Sequence, residues 1–431
     1  MNQRNFQTAL ALVTTMLLSS WCAADCTYIS TGLIPLNELG SASYQGSAGG
    51  LYPGGSNTRP AAHLTSGTAI ASTDVLPRDS SGNPDTLAGR IVLISIGMSN
   101  TTQEFGSGGS WSFKPRSDAD LSRAPLVRIV DGAQGGQTAA VWANSNANCW
   151  NVLSSRLVAA GVTTGQVQLA WIKMADAQPA QYGVFPAHAQ LLKSEYAQVI
   201  RLARAKYPNI KIAYLSSRTR AWRNDSTALN PEPYAYESNF AVKWVIDDQI
   251  NGIGNLNYDA AAGAVVAPWL SWGPYLWADG TNPRSDGLTW LCSDTTSDFT
   301  HPSASGQAKV ANQLMAWFHC DTTARPWYLK TTSSGAQPLV NVTPSTSAGA
   351  APLSVSFNTS ASDSDGTIAS TWWSFDDGGT TTTLSPTKVF KVPGSYNVSV
   401  TVVDNSGNHA SQTIPITVTP PAGVRDWYGY H

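Results

Sequence analysis

Charge is what this chain has least of. Only 13% of its 431 residues are Asp, Glu, Lys or Arg, and the formal net charge is −2. Nucleic-acid and anionic-membrane binding both need concentrated positive charge, so neither is expected. Histidine is sparse as well: His63, His188, His301, His319, His409 and His431 show no paired spacing, and no CxxC occurs. Nothing therefore argues for a metal site, and no cofactor is expected. Beyond Leu18 no apolar run approaches the roughly 20 residues that a membrane span requires.

What the chain does have is a hydrophobic fraction of 42%, enough for a sizeable core, and a length that suits two or more domains. Sixteen Trp and fifteen Tyr suggest surfaces for neutral, ring-shaped or polymeric ligands, although most such rings serve cores. At the N-terminus, Arg4 precedes an apolar stretch from Ala9 to Leu18 and a small-residue end, Cys22-Ala23-Ala24. That is the build of a secretory signal peptide over residues 1–24, cleaved after Ala24, and it implies an extracellular or periplasmic protein. Removing it leaves Cys26, Cys149, Cys292 and Cys320. An even set in an exported chain predicts two disulfides, with three connectivities open.

Residues 26–89 are rich in Gly, Ser, Pro and Asn and read as an ordered, loop-built crossing. From Ile91 apolar strands (IVLISI, LVRIVDG, VQLAWIKM, IKIAYLSS) alternate with segments of helical period, the last being ASGQAKVANQLMAWFH. This alternation predicts an α/β fold with a parallel sheet between helices, closing near Tyr328. Residues 329–337, LKTTSSGAQ, have linker composition, and two separate cores are expected on either side. Beyond it LSVSFNTS, TWWSFDD, YNVSVTVVD and TIPITVTP alternate between Gly, Asp and Pro turns, which predicts a small all-β sandwich over 338–420 and a tail over 421–431.

The strand IVLISI breaks at Gly97 and delivers Ser99, at the kind of strand end where open α/β sheets hold their ligands. Roughly two hundred residues later, TSDFTHPS places Asp298 three residues before His301. A carboxylate and an imidazole on one turn can reach each other, so Asp298 would orient His301 while the other ring nitrogen faces Ser99. Taken singly, Asp298 reads equally as a turn residue and His301 as a surface residue; together they name orienter, base and nucleophile. Asp286 and Asp294 compete for the orienter's place, but neither has a histidine three residues on.

At these residues the chain resembles the SGNH or GDSL hydrolase superfamily, whose first block is matched by Ser99 in GMSNT and whose last block, D-x-x-H-P, is matched by Asp298 and His301. The resemblance implies a flavodoxin-like three-layer fold over 25–328. The Ser99-Asn100 pair is similar to the G-Q-S-N form of sialate and carbohydrate O-acetylesterases. From the family's second block, VRIVDGAQGGQT offers Gly132, Gly135 or Gly136 as an oxyanion donor, with Gly135 preferred. In the third block WIKMAD keeps Trp171 but sets Lys173 where a glutamine would donate; Lys173 would then join the oxyanion site, or else be a salt-bridged structural residue. The segment AAPLSVSFNTSASDSDGTI, WWSFDDGG and PGSYNVSVTVVDNSG resembles the PKD domain, an immunoglobulin-like module. Ser374 and Asp376 depart there from the family's W-D-F-G-D-G run.

Trp269, Trp272, Tyr275 and Trp277 in WLSWGPYLWADG, with His63, lie outside the four blocks; Trp272, Tyr275 and Trp277 are expected to line a sugar cleft, the alternative being a packed Trp-rich loop. Asp363 and Asp365 in SDSDG read either as weak calcium ligands or as turn formers. The leading expectation is a secreted serine ester hydrolase that removes acetyl or other small acyl groups from a carbohydrate or a small acylated molecule. The sandwich would serve as a spacer or as a contact to polysaccharide or the cell surface. Competing with it are a catalytically silent polysaccharide- or surface-binding protein on the same fold, and a lipase or thioesterase.

Overall fold

Strand parity builds the first unit. In the computed structural model, which describes residues 26–225, 229–331 and 335–421, β1 (Ile91–Gly97) is buried at every position. Val92, Ile94 and Ile96 face one apolar cluster and Ile91 and Leu93 the other. The same division runs through β3 (Val167–Lys173) and β4 (Ile212–Leu215), as it must for parallel strands covered on both faces. The expected signal peptide, residues 1–24, and all but the first residue of the tail lie outside the described residues.

With β2 (Val127–Val130) and β5 (Trp269–Trp272), the sheet order is β2-β1-β3-β4-β5, all parallel. This is the flavodoxin-like order, with its switch point at β1. Strand β5 is WLSW and carries Trp272, one of the three aromatics expected to line a cleft. Trp269 and Trp272 point to opposite faces of the sheet instead, and Gly67 of α1 (Ala61–Ala69) packs against the Trp269 ring. After β1 comes the short α2 (Ser99–Thr102), followed by α3 (Phe113–Asp118). Helices α4 (Asn148–Ala159), α5 (Ala187–Lys206) and α6 (Tyr234–Ile250) cover one face. Helices α3 and α7 (Ala304–Cys320) cover the other, and α8 (Arg325–Tyr328) ends the unit.

The sandwich packs a three-stranded sheet, β11-β8-β6, on a five-stranded one, β10-β9-β12-β13-β7. Its strands are β6 (Leu339–Pro344), β7 (Ala348–Ala350), β8 (Leu353–Ser362), β9 (Ile368–Ser374) and β10 (Thr380–Thr381). The set is completed by β11 (Thr387–Phe390), β12 (Gly394–Asp404) and β13 (His409–Thr419). Val355, Phe357, Trp373, Val398, Val400 and Ile416 fill the space between the sheets. Asp376 stands where the family usually has glycine, and its φ is 61°, a left-handed conformation that Asp tolerates better than most residues.

The two units are not beads on a linker. Leu329 is buried and the Lys330 N–H donates to the Ser122 carbonyl at 2.8 Å, so the start of the expected linker belongs to the first unit. Trp372 of β9 stacks on His319 of α7 with centroids 5.0 Å apart, and Thr401 Oγ1 donates to the His319 carbonyl at 2.8 Å. The fully buried Arg284–Asp286 pair sits at the junction, where the Thr380 N–H donates to Asp286 and the Tyr275 N–H to the Gly378 carbonyl. Lys388 bridges Asp377 at 2.7 Å and the Ser285 hydroxyl at 2.7 Å.

Among the described residues one disulfide forms, Cys26–Cys292, and it ties the N-terminal crossing to the loop before α7. The second expected bridge is absent: Cys149 and Cys320 are free and buried. Cys149 lies in α4 on one side of the sheet, whereas Cys320 ends α7 on the other side and gives its Sγ–H to the Trp372 carbonyl at 3.1 Å. A full sheet separates the two thiols, far beyond disulfide reach.

Candidate active site

The end of β1 is tight. A Cβ at Gly97 would lie 2.2 Å from the Lys173 carbonyl oxygen and 2.5 Å from Thr101 Oγ1, so only glycine fits there. The Gly97 carbonyl accepts the Gln134 N–H at 3.0 Å and the Trp142 indole N–H at 3.1 Å. Thr101 Oγ1 donates to the Lys173 carbonyl at 2.7 Å. These contacts fix the turn from which Ser99 opens α2.

Ser99 Oγ lies 2.6 Å from His301 Nε2, and His301 Nδ1 is hydrogen-bonded to Asp298 Oδ2. With the Nδ1 proton given to the carboxylate, Nε2 is left to accept the serine hydroxyl. Asp298 Oδ1 accepts Thr296 Oγ1 at 2.8 Å, the Thr300 N–H at 3.0 Å and the His301 N–H at 2.9 Å. Burial pushes the Asp298 pKa up, but those donors and His301 outweigh it and hold the pKa down at about 2. Phe299, between orienter and base, has φ 59°, and its carbonyl accepts the Trp222 N–H at 2.9 Å. The His301 and Asp298 side chains keep 19% and 35% of their exposure, so the triad opens to solvent.

Gly135 also comes to the serine: a Cβ built on it would stand 3.9 Å from Ser99 Cβ. Its loop is pinned by Asp131, which accepts Ser95 Oγ at 2.6 Å and Thr102 Oγ1, while Ser95 Oγ in turn accepts the Gly132 and Ala133 N–H groups at 3.0 and 3.1 Å. Gly132 is therefore already engaged, and Gly136 faces open space with φ 74°. The N–H groups of Ser99 and Gly135 have no acceptor among the described residues.

Lys173 is not where the third block would put a donor. It is 0% exposed, and its ammonium is clasped by both carboxylate oxygens of the equally buried Glu104, one of them at 2.6 Å. Burial lowers its pKa to about 8, with Glu104 opposing the shift. The structural alternative, a salt-bridged lysine, describes it. Glu104 escaped the sequence reading because an isolated acid five residues past the serine carries no spacing signal.

The expected sugar-cleft aromatics are core residues. Trp272, Tyr275 and Trp277 are at most 1% exposed. Trp272 donates to the Leu51 carbonyl at 2.6 Å, Tyr275 Oη accepts the Leu36 N–H at 2.8 Å, and Trp277 donates to Glu232 at 3.0 Å. His63 is likewise internal, bonded to the Leu270 carbonyl at 2.7 Å. Asp294 pairs with Lys309 at 2.5 Å and Asp286 with Arg284, which removes both from the orienter's role. Asp365 accepts the N–H of the distant Ala336 at 2.9 Å. Among the described residues no three His, Cys, Asp or Glu side chains converge as metal ligands, and no helix is long and apolar enough to cross a membrane.

Comparison with known proteins divides along the same line as the fold. Residues 335–419 match the PKD domain family. Over 69 residues the chain is 41% identical to the pre-pro-metalloprotease PrtV of Vibrio cholerae, a match that spans 16% of this chain and only 8% of that protein. The PKD1 domain of Vibrio anguillarum Epp is covered completely at 30% identity, using 20% of this chain, with a TM-score of 0.19. The C-terminal unit thus belongs to the PKD domain family. A Bacteroides fragilis protein described as an acylhydrolase aligns over 60% of this chain and 96% of its own at 13% identity, with a TM-score of 0.32. The functional reading of the α/β unit rests on its own residues.

Proposed function

We propose that this chain is a secreted serine ester hydrolase of the SGNH type that removes acetyl or similarly small acyl groups from a carbohydrate. The observation that carries the reading is the relay Ser99–His301–Asp298, with Ser99 Oγ and His301 Nε2 2.6 Å apart. Ser99 Oγ attacks the acyl carbonyl carbon as its proton passes to His301 Nε2. The tetrahedral oxyanion is met by the unpaired N–H groups of Ser99 and Gly135. The acyl C–O bond then breaks, and His301 returns the proton to the departing sugar oxygen. Water repeats the sequence on the acyl-serine and releases the acid. Asp298 stays ionised through the cycle and steadies the imidazolium.

Export is supported by the leader-like residues 1–24 and by the Cys26–Cys292 bridge, which suits an oxidising compartment. The Ser99-Asn100 pair and the appended PKD unit support a carbohydrate ester over a lipid. One observation favours the competing reading of a silent polysaccharide-binding protein: Lys173, at the third-block position, is buried and held by Glu104. Assaying Ser99→Ala beside the wild type on a short-chain aryl ester separates the two. The esterase reading expects a loss on the order of 10⁴ to 10⁶ in kcat with an unchanged Tm. An inactive wild type, or a variant that keeps most of the activity, sinks it.

A further inference from the structure

A cleft of ≈ 550 Å³ opens where α8 meets the start of β13. Arg325, Pro326 and Lys330 line it from the α/β unit; Gln337, His409 and Ser411 line it from the PKD unit. No acidic side chain is among its lining residues. Neither Arg325 nor Lys330 forms an ion pair among the described residues. Lys330 Nζ gives one hydrogen bond to the Ser406 carbonyl at 3.1 Å, which leaves two of its three donors for a ligand. His409 Nδ1 is buried without a hydrogen-bond partner.

Two cations without an ion-pair partner among the described residues share a recess whose lining holds no acid, which suits an anion. A guanidinium and an ammonium lining one recess suit a carboxylate, which Arg can bind through two parallel N–H groups. The remaining wall is neutral and mixed: an amide from Gln337, a hydroxyl from Ser411 and the apolar ring of Pro326. That surface complements hydroxyls and ring C–H groups around the acid. Two cations in a recess are too few for a duplex or an anionic bilayer, both of which reward broad basic faces.

We propose that this cleft binds the carboxylate of an acidic saccharide, a uronic-acid residue of a glycan, at a site that shares no residue with the triad. The proposal is independent of the esterase reading, and it gives the PKD unit a role as one jaw of the binding site. The test is calorimetric titration of the full chain with an unacylated oligogalacturonate, beside a neutral galactan oligomer of equal length. The acidic oligomer should bind at least about tenfold more tightly than the neutral one, and raising NaCl from about 50 to about 500 mM should weaken it.

The double variant Arg325→Gln/Lys330→Gln should lose about tenfold or more in affinity while aryl-ester turnover stays at the wild-type value. Should that variant prove unstable, the neutral-oligomer and salt comparisons on the wild type still decide the matter. No binding, equal binding of the two oligomers, or a folded double variant with unchanged affinity overturns the proposal. So does inorganic phosphate binding as tightly as the oligomer, which would mark a bare-anion site. Capture by phosphatidylserine vesicles without oligogalacturonate binding would assign the cations to a membrane surface and overturn it too.

Discussion

Asn100 Nδ2 donates to the Thr300 carbonyl at 2.8 Å, so the residue beside Ser99 holds the residue beside His301. Asn100 is 2% exposed and Thr300 is 3% exposed. The bond therefore spans a buried seam between α2 and the Asp298–His301 turn.

Asn100→Ala is expected to lower kcat by roughly 10- to 100-fold with little change in KM, because a small misplacement of nucleophile against base is enough to do so. The lost buried hydrogen bond should also reduce stability by about 1 kcal/mol. Steady-state kinetics beside a melting curve check this. A stability loss with kcat intact would reduce Asn100 to a packing residue.

Lys173→Met should strand the Glu104 carboxylate in the core and destabilise the fold by about 3–5 kcal/mol, the usual result of removing one partner of a buried pair. Lys173→Gln should fail in the same way rather than restore an oxyanion donor. Lys173→Met with Glu104→Leu should recover most of the stability, since both charges are then gone. Urea unfolding of the three variants measures it. Full stability in the single variants, with a selective fall in kcat, would return Lys173 to the oxyanion site.

Ending the chain after Lys330 should give a protein with a lower Tm that tends to aggregate. The cut removes the partners of Arg284–Asp286, His319 and Cys320 and bares a face that the PKD unit now covers. Differential scanning calorimetry and size-exclusion chromatography of the truncated and full chains provide the comparison. A truncated unit that melts with the full chain would show the docking to be energetically idle.

Partial burial raises the Asp376 pKa to about 7 despite the opposing charge of Arg59. A carboxyl whose folded pKa exceeds its unfolded value binds more protons when folded, so its contribution falls as pH rises from about 4 to about 7 and is level above that. Asp376→Asn keeps a side chain suited to φ 61° and an oxygen for the Asn397 N–H, now 2.9 Å away, but carries no charge. Its Tm should exceed that of the wild type at pH 8 and match it near pH 4. Melting curves across that range test the assignment, and equal curves at every pH refute it.

Much of the molecule was legible in one dimension because the relevant physics is local. Buried parallel strands read as continuous apolar runs, the Asp298–His301 pair sits on a single turn, and Gly97-Met98-Ser99 marks the end of a strand. Alternation and turn residues also marked the C-terminal unit as an all-β sandwich.

Contacts across the sheet were not legible. WLSWGPYLWADG looks alike as a sugar cleft or as a last strand with its following loop, because aromatic rings serve both, and only packing on both faces shows it to be core. An even cysteine count says nothing of which side of a sheet each thiol occupies. A lysine in place of a glutamine gives no hint that a glutamate from the nucleophile's own segment will neutralise it. Linker composition over 329–337 likewise could not reveal that the two units share a buried polar interface. Sequence determined the elements and the Asp298–His301 turn, since these depend on neighbours along the chain. Tertiary structure decided burial, pairing and docking, because each is a property of residues that meet only when the chain has folded.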